Sequence, residues 1–311
     1  MYQNFPYYRS LNILLIMEYS LNLGDIYAIL TALCWSSAVI CFDIAGRVLN
    51  SIQISLLKNI VGVSGFVAVL LIQSDPFPLF TQHEYLILII SGFIGVAMGD
   101  ILFLASLRRI GSGMSAIIST SYSVSVFILA YIMYQEVISL LAYLGGVLVI
   151  SGVIIGTMER PENKTKRDIY IGSFYGFMAN LCTAYSVLLL RPIMESHPVV
   201  PIALVRFSLG IVVSAGLIVY LNGYSDLRET VTKGFRHLYL IVGSFLGTFL
   251  SVILWLAGYK YTLAGRAAIY NQLSTIFIII LAAIILKEVM TKKKWAAVTL
   301  ALTGAFIVSI Y

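Results

Sequence analysis

Charge is scarce in this chain. Asp, Glu, Lys and Arg make up 11% of its 311 residues while 60% are hydrophobic; soluble domains run to about a quarter charged and half apolar. That balance excludes a soluble globular enzyme, whose core could not hide so much apolar surface. Cysteine is scarce too: Cys34, Cys41 and Cys182 all fall inside apolar runs, with no CxxC and no histidine at ligand spacing. Neither a disulfide framework nor a zinc site is expected. His83, His197 and His237 lie in or beside polar breaks, and the chain contains neither HExxH nor GxSxG. It therefore offers no framework for metal-dependent or serine hydrolysis, and no catalytic residues are assigned. The opening MYQNFPYYRSLNILLIM has no cleavage pattern after it, so residues 1–21 read as a loose N-terminal segment, with Met17 a second candidate start.

What the chain does have is apolar runs of about 17–24 residues between short polar breaks, each able to cross a hydrocarbon layer at about 1.5 Å per residue. An all-α integral membrane protein is expected. Ten transmembrane helices are placed at about 26–42, 51–72, 85–107, 113–133, 139–157, 169–190, 199–221, 237–258, 266–286 and 295–311. The formal charge of +6 does not point to nucleic acid, because the cations lie at span ends rather than in a patch interleaved with aromatics.

The chain repeats itself. Residues 95–157 align with 247–309 without a gap, and seventeen positions match. Gly95 falls on Gly247, Gly113 on Gly265, Glu136 on Glu288 and Gly152 on Gly304. Earlier in each half ISLLK returns as IALVR, pairing Lys58 with Arg206, and GDIYA returns as RDIYI. The expected organisation is a first five-helix repeat at 22–158, a basic connecting loop at 159–168 and a second five-helix repeat at 169–311. An odd number of crossings inverts the second copy relative to the first. Fourteen Lys and Arg then fall on the face of the 287–294 turn, against Arg9, Arg191, Lys260 and Arg266 on the other. By the positive-inside tendency both termini should face outward from a cytoplasmic (inner or plasma) membrane.

Small residues recur every fourth position in the third span (Ser91, Gly95, Gly99) and the eighth (Gly243, Gly247, Ser251). Such stripes let two backbones approach closely, whether as static packing or as a sliding contact.

The run LWLAGYKYTLAGRAAIYNQLSTIFIIILAAIILKE at 254–288, with its counterpart LFLASLRRIGSGMSAIISTSYSVSVFILAYIMYQE at 102–136, resembles the EamA-type unit of the drug/metabolite transporter superfamily. The resemblance covers about residues 22–311. It implies a ten-helix carrier with a central cavity that moves a small metabolite or drug-like solute by alternating access. Many members carry a proline about thirteen residues before the acid, where this chain has Ser123 and Thr275. Many also have both termini inside, contrary to the charge count here.

Ionisable residues inside a span are costly and mark function by default. Three stand out: Lys58, Asp100 and Arg206. Lys58 and Asp100 lie at similar depth in the second and third spans and can form an intramembrane charge pair or a proton-coupling site. Arg206 is the repeat equivalent of Lys58, but Val252 stands where Asp100 would be. Arg206 is thus a candidate for attracting an anionic solute, with a loop acid such as Glu195 as its competing partner. Neutral polar residues complete the candidate substrate-binding wall: Trp35, Ser119, Tyr122, Asn180, Asn271 and Gln272, with Asn271 and Gln272 on the positions of Ser119 and Thr120. The same residue types also serve interhelical hydrogen bonds. Glu136 and Glu288 end their helices and are expected to cap or pair while staying wet.

The expected partners are a small-molecule substrate and the lipid bilayer, with no cofactor, no metal and no nucleic acid, the chain acting as a monomer or homodimer. A non-transporting receptor or scaffold and an intramembrane enzyme are the rival readings; neither needs an inverted repeat around a polar cavity.

Overall fold

The computed structural model describes residues 23–73, 77–135, 140–158, 164–261 and 264–310. The expected N-terminal segment with Met17, and Glu136, lie outside the described residues. The helices run in the order α1 Leu23–Ala45, α2 Ser51–Gln73, α3 Gln82–Ser119, α4 Ser121–Tyr134, α5 Leu140–Thr157, α6 Lys166–Ser196 and α7 Val199–Asn222. There follow α8 Tyr224–Gly234, α9 in three joined pieces (Leu238–Ser244, Phe245–Leu250 and Ser251–Tyr261), α10 Ala264–Ile285 and α11 Lys292–Ile310.

Among the described residues six helices are long and apolar enough to cross a membrane: α1, α2, α3, α6, α7 and the Leu238–Trp255 part of α9. Shorter apolar stretches occupy α4, α5 and α10. Large hydrophobic side chains such as Leu71 and Val212, 74% and 66% exposed, point away from the bundle, as a lipid-facing surface requires and a water-facing one would not tolerate in bulk.

Helix pairing follows the repeat. α2 packs on its equivalent α7 and α5 on its equivalent α11. α1 packs on α9 and α10, while α6 packs on their counterparts α3 and α4. Close approach at these seams depends on missing side chains. A Cβ on Gly95 would overlap the Ser186 side chain of α6, and one on Gly247 would come within about 2.5 Å of Ala38 Cβ of α1. The two small-residue stripes therefore serve equivalent contacts in the two halves.

Three features depart from the sequence reading. The third and fourth expected spans meet at Gly111, whose φ of 78° gives the chain its turn without a separate loop. The 222–236 break is not a loop but holds the amphipathic helix α8, which buries Thr230 and Gly234 against α2; Gln53 Nε2 donates to Thr230 Oγ1 at 3.1 Å. And while α4 passes through Ser123 and α10 through Thr275 as helix, as the missing prolines suggest, α3 is π-helical at Gly92–Gly99 and α9 at Phe245–Leu250. The two π segments occupy repeat-equivalent positions. Each widens the turn where a glycine of the stripe meets the opposite half, and such segments are frequent at functional sites.

Candidate functional site

A cavity of about 390 Å³ lies between the two halves, the size range of small-molecule pockets. Its wall is built from repeat-equivalent positions: Gly95 and Gly247, Gly99 and Ser251, Asp100 and Val252, Phe103 and Trp255, Ser123 and Thr275 all line it. It therefore sits on the pseudo-symmetry axis, with both π segments in its wall. The lining extends along α6 and α7 to Met194 and Val199, at the cation-poor end, and takes no residue from the opposite end of the bundle.

That opposite end is packed shut. Phe42, Leu104, Leu107, Ile110, Met114 and Ile117 form the buried core there. Polar ties cross above it: Ser112 Oγ donates to Asp43 Oδ2 at 2.5 Å, and Arg108 Nε donates to the Gly46 carbonyl at 2.8 Å. Lys164 Nζ donates to the Arg108 carbonyl, and Arg109 pairs with Asp168. From the second half, Glu288 reaches over the Gly111 turn and accepts from Gly113 N–H at 3.4 Å, with Lys294 Nζ 4.0 Å from its carboxylate. Glu288 thus caps a helix start, as its position suggested, but it is not wet: its side chain is only 21% exposed, and burial pushes its carboxyl above the ordinary range despite Lys294.

Of the residues singled out from the sequence, Trp35, Asp100, Ser119, Tyr122, Asn180, Arg206 and Gln272 all line the cavity. The Asn271 side chain lies outside the described residues. Lys58 stands behind the wall and closes the expected pair, Nζ to Asp100 Oδ2 at 2.5 Å, with a second bond to Asn59 Oδ1 at 3.2 Å and the Phe207 ring 5.5 Å away. Asp100 keeps 24% of its side chain exposed, toward the cavity it lines, whereas Lys58 is buried.

Arg206 does not pair with Glu195. Its Nη2 donates to Ser186 Oγ at 2.7 Å, and Ser186 is in turn bonded to Ser91 across the α3–α6 seam. Two polar side chains of the wall are engaged in holding helices: Asn180 Nδ2 donates to the Ile118 carbonyl and Ser121 Oγ, both at 2.9 Å, and Gln272 Nε2 donates to Ser123 Oγ at 2.5 Å. Ser119 Oγ donates to its own helix at the Ser115 carbonyl. The Trp35 ring lies 5.8 Å from that of Phe103.

Sequence reasoning missed Phe103, Trp255, Thr183 and Phe207 in this wall. Phe103 and Trp255 were findable, since the offset that aligns the halves puts one aromatic on the other. Nothing local marks Thr183 or Phe207.

Comparison with known proteins agrees with this architecture. The profile of the EamA-like transporter family matches residues 22–158 and again 170–310. A protein of Archaeoglobus fulgidus described as an uncharacterized transporter is 25% identical over 259 residues, covering 83% of this chain and 87% of its own length. A solved crystal structure superposes with a TM-score of 0.64 over 92% of this chain and 96% of the other, at 10% identity, a likeness of fold alone.

Proposed function

The chain belongs to the EamA-like transporter family and is a multi-pass membrane transporter, and we propose that it carries a small solute by alternating access through the cavity between its two repeats. In this reading the chain crosses the cytoplasmic membrane ten times with both termini outside. The solute meets Trp35, Tyr122, Asn180, Arg206, Gln272 and the neighbouring wall.

The observation that carries the proposal is the cavity's position. It is lined by equivalent residues of the two repeats, reaches toward the cation-poor end as far as Met194 and Val199, and is backed at the other end by the buried core. By symmetry the same chain can adopt the mirrored arrangement, in which α3 and α9 exchange roles. The cation-poor end being the outer one, the described state faces outward. Asp100 lines the cavity with Lys58 behind it, and opening the inner face requires the Glu288 and Asp43 ties to part.

The test is counterflow in proteoliposomes. A solute that stabilises the purified protein should exchange its label across the vesicle wall at a rate that saturates. Val187→Trp, on the partly exposed cavity wall, should abolish the exchange while the protein still folds. Exchange unaffected by filling the cavity would overturn the proposal.

A further inference from the structure

The charges around the cavity do not balance. Resting on the carrier reading above, we propose that the solute is a monocarboxylate with an apolar or aromatic body, its carboxylate held by Arg206.

Asp100 is the one acid among the described residues of the wall, and Lys58 already holds it at 2.5 Å. Arg206 is the cation left over, because the repeat supplies Val252 where its acid would stand. Asp100 and Tyr122 act on it electrostatically, while its Nη2 donates to the neutral Ser186 hydroxyl. Its buried Nε has no partner among the described residues. A guanidinium presents five N–H donors in a planar fork, and leaving them unmet inside a membrane bundle is costly. A carboxylate satisfies two of them side by side and neutralises the charge.

The same count excludes other solutes. A phosphate dianion needs a second uncommitted cation, and Lys58 is engaged. An organic amine would find its one counter-ion already paired and Arg206 repelling it. Beyond the charge, the rings of Trp35, Phe103, Phe207 and Trp255 line the rest of the space, so the body of the solute is apolar and readily flat. A volume of about 390 Å³ fits a single-ring or indole-sized molecule.

The test measures thermal shift of the full-length protein in detergent with benzoate, phenylacetate, phenylpyruvate and indole-3-acetate, each against its amide, and with benzylamine and phenethylamine. At least one carboxylate should raise Tm, its amide requiring about tenfold more ligand or worse for the same shift. Arg206→Gln should abolish that preference while Arg206→Lys keeps part of it. Should Arg206→Gln fail to fold, the carboxylate–amide comparison on the wild type and on Arg206→Lys decides alone. No shift from any carboxylate, an equal or larger shift from an amide or amine, or a preference that survives Arg206→Gln would overturn the proposal. Counterflow separates this from the carrier reading. A carboxylate that binds through Arg206 but never exchanges leaves the site and removes the carrier, whereas exchange confined to an amine or amide does the reverse.

Discussion

Lys58 Nζ lies 2.5 Å from Asp100 Oδ2, joining α2 to α3 at the cavity wall, and the repeat reproduces only half of this pair, with Arg206 for the lysine and Val252 for the acid. The first half is thereby self-neutralised and the second is left positive. An asymmetry of charge is thus built on a nearly symmetric frame.

Removing one partner of the pair should harm the protein more than removing both. Asp100→Asn leaves a buried ammonium uncompensated and should cost about 3 kcal/mol, while Lys58→Met with Asp100→Asn should recover much of that loss. Denaturation midpoints of the wild type, both single variants and the double variant would measure the coupling. Additive losses would show that the pair contributes nothing as a pair.

Glu288 should make stability depend on pH. Burial raises its carboxyl above the unfolded value, with Asp43 adding to the rise and Lys294 and Gly113 N–H opposing it. The folded state therefore binds the proton more readily than the unfolded chain. Its contribution is complete below the unfolded value of about 4.3 and is lost as pH rises through the higher folded one. Relative to Glu288→Gln, the wild type should gain stability as pH falls from 7 toward 4.5, measured as the difference in Tm. A difference independent of pH contradicts this.

The α5–α11 seam should reject any side chain at its glycines. A Cβ on Gly304 would strike the Gly145 carbonyl and lie 2.7 Å from Val149 N, and one on Gly152 would lie 2.7 Å from both Ala297 O and Ala301 N. These are backbone atoms that cannot rotate away. Gly304→Val and Gly152→Val should each lower stability by about 3 kcal/mol or more. Gly216→Ala in α7, with nothing within 4 Å, should be neutral or stabilising by about 0.5–1 kcal/mol. Equal tolerance at all three would refute the close approach.

A reporter fused to the C-terminus should be active only on the external side of the membrane, since the basic turns gather at the opposite end of the bundle. Activity on the cytoplasmic side would invert the assigned orientation and make the described state inward-facing.

Much of this was legible because the repeat converts position into contact. Equal depth in neighbouring spans predicted the Lys58–Asp100 pair, and matching polar residues at matching offsets marked a wall that the fold brings together. What stayed hidden depends on tertiary neighbours. The partner of Arg206 is Ser186, twenty residues earlier on another helix, and a serine in an apolar span carries no signal of its own. The π segments arise where glycine stripes meet another helix, so their spacing announced a close approach but not a widened turn. α8 was masked by its polarity, since its buried face consists of Thr230 and Gly234, residues that read as loop. Glu288 reads from the sequence as a wet helix-end acid, but the Gly111 turn of the other half buries it, which no local pattern reveals.

The central claim is that one cavity serves both faces in alternation, and a single cysteine can test it. In a variant with Cys34, Cys41 and Cys182 replaced, Thr183→Cys places a thiol in the cavity wall. In sealed vesicles of known orientation, a membrane-impermeant thiol reagent should label it from the cation-poor face in the resting state. Labelling from the other face should emerge when transported solute is present, and a cysteine at exposed Val212 should not follow this pattern. Labelling from one face only, whatever solute is supplied, would contradict alternating access.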